Sequence, residues 1–178
     1  MKLILPRFVA IDSSILIGWA SDAFAADSKL RATAREVRTS LLDSNWIPII
    51  CLHHFIELAR HSDLQISAKR IDLLKSFSQI GWIGRSYGSK ILGGIVDVFE
   101  AEIESIVASP DIDFPALRKS VREKLVRYGP PTDIDVLNEW KYLHAAIVAM
   151  GDREQEIASI AHANHSEFDD MEISQLEF

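Results

Sequence analysis

Two short apolar runs stand out against an otherwise amphipathic chain: RFVAID over Arg7–Asp12 and NWIPIICL over Asn45–Leu52. Runs of this length, rich in Ile and bounded by polar residues, predict strands buried on both faces, the habit of parallel sheets. Between them Leu30, Ala34, Val37 and Leu41 recur at helical spacing, and Asp27 or Ser28 suits the N-cap. A strand, a helix and a second parallel strand close right-handed in nearly all cases. Both strands then end at the carboxyl edge of the sheet, where open α/β sheets hold their ligands.

Further along, HHFIELARH starts a helix, and another is predicted over Ile66–Gln79 with Ile71, Leu74 and Phe77 facing the core. IGWIGRS, Ile80–Ser86, reads as a third strand. Beyond Ser89 the pattern is helical throughout. SKILGGIVDVFEAEIESIVA is weakened by Gly93 and Gly94, Pro115 opens a helix running to Tyr128, and GPP at Gly129–Pro131 breaks it. A helix over Thr132–Met150 carries Ile134, Leu137, Leu143 and Ile147, and a last one follows Asp152. No fourth or fifth strand is predicted. The expected fold is α/β, a parallel sheet with flanking helices: a core over 1–110, then a helical extension over 111–178 with an acidic tail. An incomplete sheet would leave the first strand's edge unpaired, for a partner protein or further segment to complete.

Composition fits one globular domain: 178 residues, 48% hydrophobic and 25% charged. The single cysteine, Cys51, excludes an intrachain disulfide, and MKLILPRF meets Pro6 and Arg7 before a long apolar segment develops. The expectation is a cytoplasmic protein without signal peptide or membrane span. Its net charge of -7 is unevenly spread. Eight of the 26 acidic and one of the 19 basic residues follow Gly151, leaving a neutral body and an acidic tail. Within that body Arg31, Arg35 and Arg38 share a helical face, and Arg118–Arg127 holds five cations to one anion. Either cluster is a candidate for contact with RNA or another nucleic acid.

Asp12 follows the first strand and precedes Ser13 and Ser14. Any of the three can cap the next helix, so the serines leave the carboxylate free to face the crevice. Glu57, in the opening turns of the helix after the second strand, can face the same crevice. Two carboxylates at one edge suit magnesium or manganese, which prefer oxygen ligands and acidify a bound water.

FVAIDSSILI followed by IPIICLHHFIEL resembles the opening half of a PIN-domain nuclease, with its apolar strand, Asp, small polar pair, then strand and helix bearing Glu-Leu. The resemblance covers mainly residues 7–60. It implies a PIN-like fold and a metal-dependent endoribonuclease in which Asp12 and Glu57 are the first two of four metal-binding acids, supported by Ser13 or Ser14. For the third acid it implies Asp135, or its neighbour Asp133, in GPPTDIDVL. Asp97 competes from an expected mid-helix position, and Asp169 or Asp170 serves as a fourth acid only if the tail folds back. The second half lacks the family's later strands, which leaves as the alternative a non-catalytic PIN-derived protein-interaction module or one part of a larger nuclease complex.

Other constellations say less. His53, Glu57 and His61 fall at i, i+4 and i+8, but a continuous helix holds the outer pair ~12 Å apart, too far for one metal ion. His162 and His165 read as surface residues. The glycines of GWIGRSYGSKILGG lack P-loop spacing and read as turns. AIDSS also lacks the second Asp that a haloacid-dehalogenase-like phosphatase needs. Trp19, Trp46, Trp82 and Trp140 read as core or interface anchors.

Overall fold

The two apolar runs form β1 (Arg7–Ala10) and β2 (Trp46–Ile50), paired in parallel with Arg7 opposite Trp46 and Ala10 opposite Ile49. In this computed structural model, which describes residues 7–85 and 88–175, two helices connect them, α1 (Ser13–Ala23) and α2 (Ser28–Asp43). Asp27 starts the second by accepting from the Lys29 amide at 2.7 Å. Only Ala34 of α2 is buried. Leu30 and Val37 remain exposed, so this helix lies on the side of the domain.

After β2 come α3 (Leu52–Ala59) and α4 (Leu64–Lys75), then β3 (Ile80–Arg85), which pairs with β2 in parallel. Ile71, Leu74 and Phe77 are buried as expected.

Beyond β3 the chain departs from its helical expectation. Gly88–Leu92 is β4, antiparallel to β3, and Val126–Gly129 is β5, antiparallel to Ile80–Ile83 on β3. The fold is therefore α/β with a five-stranded sheet, β1, β2 and β3 running parallel. Gly93 explains the first departure. Its N–H donates to the Ile83 carbonyl and its carbonyl accepts from the Leu52 N–H, both at 2.8 Å. A Cβ there would lie 2.8 Å from the Gly84 carbonyl oxygen, so the site needs glycine for close backbone approach. β5 explains the second. It leaves α6 (Phe114–Leu125) directly, and its Val and Tyr, good strand formers, take the free edge of β3.

Between these strands α5 (Ile95–Ala108) packs against α6, with the Ser105 and Ser120 hydroxyls 2.8 Å apart. Asp97 is in the first turn of α5 rather than at its middle, because Gly88–Leu92 is strand. A 3-10 turn over Pro131–Asp133 precedes α7 (Asp135–Gln175), one helix where two were expected. Gly151 within it costs about 1 kcal/mol relative to alanine, too little to end a helix among strong helix formers. Residues beyond 110 thus supply a strand as well as helices.

The core lies where α1, α3, α4 and the start of α7 cover the sheet. Phe55, Leu58, Ile71, Leu74 and Leu137 are fully buried, each burial contributing about 1.5–3 kcal/mol. Trp19, Trp82 and Trp140 belong to this core, whereas Trp46 is exposed beneath the Arg7 guanidinium. Among the described residues, β1 pairs only with β2, and no helix is long and apolar enough to cross a membrane.

Candidate active site

Because β1 and β2 are parallel neighbours, the residues following them emerge together. Asp12 follows β1 and starts α1, while Cys51 follows β2 and starts α3. A cavity of about 630 Å³ opens at this edge, and Asp12, Ser13, Ser14, His53, His54 and Glu57 line it. Arg60 and His61 after α3, Arg70 of α4 and Asp152 of α7 complete its polar wall.

Asp12 is the N-cap of α1, against the expectation that the serines would free it from that task. Ser13 and Ser14 already lie in the helix, and the last extended residue before it is Asp12. The Ser14 amide donates to Asp12 Oδ1 at 2.8 Å, and the Ser14 hydroxyl donates to the same oxygen. The hydroxyl first, then the amide, hold the carboxyl below its ordinary value, with a smaller contribution from His54. Oδ2 makes no hydrogen bond among the described residues.

Glu57 projects from α3 with its side chain mostly buried, and its Oε1 lies 3.1 Å from His53 Nε2. His61 falls outside α3, which ends at Ala59, so the expected helical register of His53, Glu57 and His61 is broken at its last member. All three nonetheless line the cavity. His61 Nδ1 accepts from the Asp63 amide at 2.9 Å.

His54 is a site residue that the sequence reading passed over. Its Nδ1 accepts from the Cys51 N–H at 3.2 Å and lies 3.0 Å from Cys51 Sγ. The neutral ring therefore carries its proton on Nε2. The hydrogen bond to Cys51 raises the imidazole above its ordinary value against the pull of burial, with help from Glu57 and Asp12. Burial pushes the Cys51 thiol up, and its contacts with His54 outweigh that and leave it lowered. The signal was present as cysteine and histidine three residues apart where a strand enters a helix.

The remaining acids are elsewhere. Asp135 is the exposed first residue of α7 and does not line the cavity. Asp152, which does, is ~25 Å further along the same helix by its 1.5 Å rise. Asp133 lies in the 3-10 turn, also outside the cavity. Asp97 accepts from the Gly94 amide at 2.7 Å and faces Arg85 Nε at 3.6 Å. The side chains of Asp169, Asp170, His162 and His165 lie outside the described residues.

Among the described residues, no three His, Cys, Asp or Glu side chains are grouped to hold one metal ion. The pair Asp12 and Glu57 still suits magnesium, which commonly takes one or two carboxylates and completes its shell with water and substrate phosphate.

The cations of the Arg118–Arg127 stretch, on α6 and the start of β5, are committed within the protein. Lys124 binds Glu104 at 3.2 Å, Arg122 lies over the Phe8 ring, and Arg127 donates to the carbonyls of Glu123, Lys124 and Val126. Comparison with family models, with curated proteins and with solved structures gives no significant match to this chain.

Proposed function

We propose that the chain is a PIN-like, metal-dependent endoribonuclease in which Asp12 and Glu57 hold magnesium or manganese against a phosphodiester. One observation carries this reading: the two carboxylates line a single cavity where adjacent parallel strands end. A divalent ion bound there supplies a Lewis acid for the phosphoryl oxygen and lowers the pKa of a water. The chain's own residues do the rest. Ser14 keeps Asp12 ionised and fixes one of its oxygens, leaving the other for the ion. His53 orients Glu57 in the same way. Arg60 and Arg70, on the same wall, neutralise phosphate charge.

The test is cleavage of single-stranded RNA with manganese by the wild type, Asp12→Asn and Glu57→Gln. Both substitutions preserve shape and remove charge, so loss of about a hundredfold or more in rate with an unchanged melting temperature is expected. Cleavage at the wild-type rate by either variant refutes the assignment.

A non-catalytic interaction module is the second reading. It is favoured by α5, where Ile95, Val96, Phe99, Ile103 and Val107 are each more than half exposed on one element. On this reading the purified protein cuts no nucleic acid at any divalent-ion concentration.

A further inference from the structure

Three cavities lie in a row beside α1. Arg70 lines the one holding Asp12 and Glu57 and also a second of about 320 Å³. Phe24 lines that second cavity and a third of about 210 Å³, whose wall includes Arg31, Arg35 and Arg38 of α2. No carboxylate lines the second or the third.

The three arginines differ from the cations of α6. Arg31 Nη1 donates to the Ala25 and Ala26 carbonyls at 2.7 and 2.6 Å, which fixes its plane and leaves its other N–H groups available. Arg38 Nη1 reaches the Ser76 carbonyl at 3.4 Å. Arg35 makes no hydrogen bond or ion pair among the described residues. Three guanidinium groups around one small cavity repel one another, and a bound anion relieves that repulsion. Arg70 gives an independent sign. Its Nε is buried without an acceptor, leaving a cationic group under-satisfied where the first two cavities meet.

We propose that this row of cavities is the track of a single-stranded nucleic acid, with phosphates at Arg31, Arg35 and Arg38, a base on Phe24, and a further phosphate at Arg70. Only the last station, at Asp12 and Glu57, rests on the nuclease reading above. Phe24 is 40% exposed and stands between two charged stations, the alternation of stacking surface and cation that binds single strands without reading sequence. From Asp12 to Phe24 the helix rises ~18 Å, room for at most about five stacked nucleotides at 3.4 Å per step. A mononucleotide cannot span both ends.

The experiment is fluorescence anisotropy with a labelled eight-nucleotide oligouridylate in EDTA, which separates binding from cleavage, repeated with oligodeoxythymidylate to distinguish RNA from DNA. Arg35→Gln combined with Arg38→Gln should raise Kd about fivefold or more and make the log–log salt slope shallower by about 1.4, at about 0.7 per phosphate contact. Phe24→Ala should weaken binding about fivefold or more at any salt concentration. Arg35→Gln alone guards against misfolding, since Arg35 has no described intramolecular bond, and should carry half the change in slope. Wild-type protein that binds neither oligomer, or arginine variants with unchanged Kd and slope, would overturn the track. Arginine-dependent binding without manganese-dependent cleavage supports the track and removes the nuclease reading. Cleavage that needs Asp12 but ignores the arginines does the reverse.

Discussion

The indole N–H of Trp19 on α1 donates to the carbonyl of Ala34 in the middle of α2, at 2.9 Å. This bond ties the helix bearing the three arginines to the helix that starts at Asp12. Trp19 also packs edge-on to Phe77, so the contact is anchored in the core. Trp19→Phe keeps an aromatic ring and removes the donor. It should cost about 1 kcal/mol in urea unfolding, the net worth of one hydrogen bond. It should also weaken oligonucleotide binding by letting α2 shift.

Asp12 both caps a helix and carries a charge, and two substitutions separate these roles. Asn caps as well as Asp, so Asp12→Asn should melt with the wild type at pH 7, whereas Asp12→Ala should melt lower. The pH dependence follows from a carboxyl held below its ordinary value of 3.8. Its contribution is fully present above that value and is lost as pH falls through the lower folded pKa. The melting difference between wild type and Asp12→Ala should therefore persist at pH 5 and shrink below about pH 4.

Cys51 and His54 titrate as neighbours. Removing the thiol in Cys51→Ala takes away the largest influence raising the imidazole, so the His54 midpoint should fall in an NMR titration. A folded pKa raised above the ordinary value of 6.5 gives stability that is complete below pH 6.5. That stability is lost as pH rises through the folded His54 pKa, so the gap between wild type and Cys51→Ala should narrow just above pH 6.5 and widen again as the lowered Cys51 thiol ionises below its ordinary value of 9.0. An unmoved His54 midpoint would show that the 3.0 Å contact does not govern its protonation.

Two glycines should respond in opposite ways. Gly93→Ala forces a Cβ against main-chain atoms of Gly84, which cannot swing aside, and should destabilise by about 1–3 kcal/mol. Gly18→Ala adds a methyl to the solvent side of α1, with nothing within 4 Å, and should stabilise by about 0.5–1 kcal/mol. Chemical denaturation of the two variants checks both signs.

The same particulars show what the sequence made legible. β1 and β2 announce themselves because parallel strands read as unbroken apolar runs, although only β2 is largely buried and β1, at the end of the sheet, is exposed or half-buried along its length; their adjacency is enough to bring Asp12 and Glu57 to one cavity. β4 and β5 are strands only because β3 offers them edges, a tertiary cause that periodicity does not encode. Asp152 and Arg70 escaped notice for a related reason. Each reaches the cavity through the packing of a helix, and Asp152 further requires α7 to continue through Gly151. Asp97 was misplaced within its helix because the strand before it was missed.

β3 has neighbours from far along the chain on both sides: β2 before it, and β5, which is complete 44 residues after the end of β3. On a ribosome adding about 5–20 residues per second, β3 emerges about 2–9 s before the strand that covers its second edge. During that interval Ile80–Ile83 presents unpaired N–H and carbonyl groups on a largely apolar strand, where a nascent chain of this sequence is most exposed to pairing with the wrong neighbour.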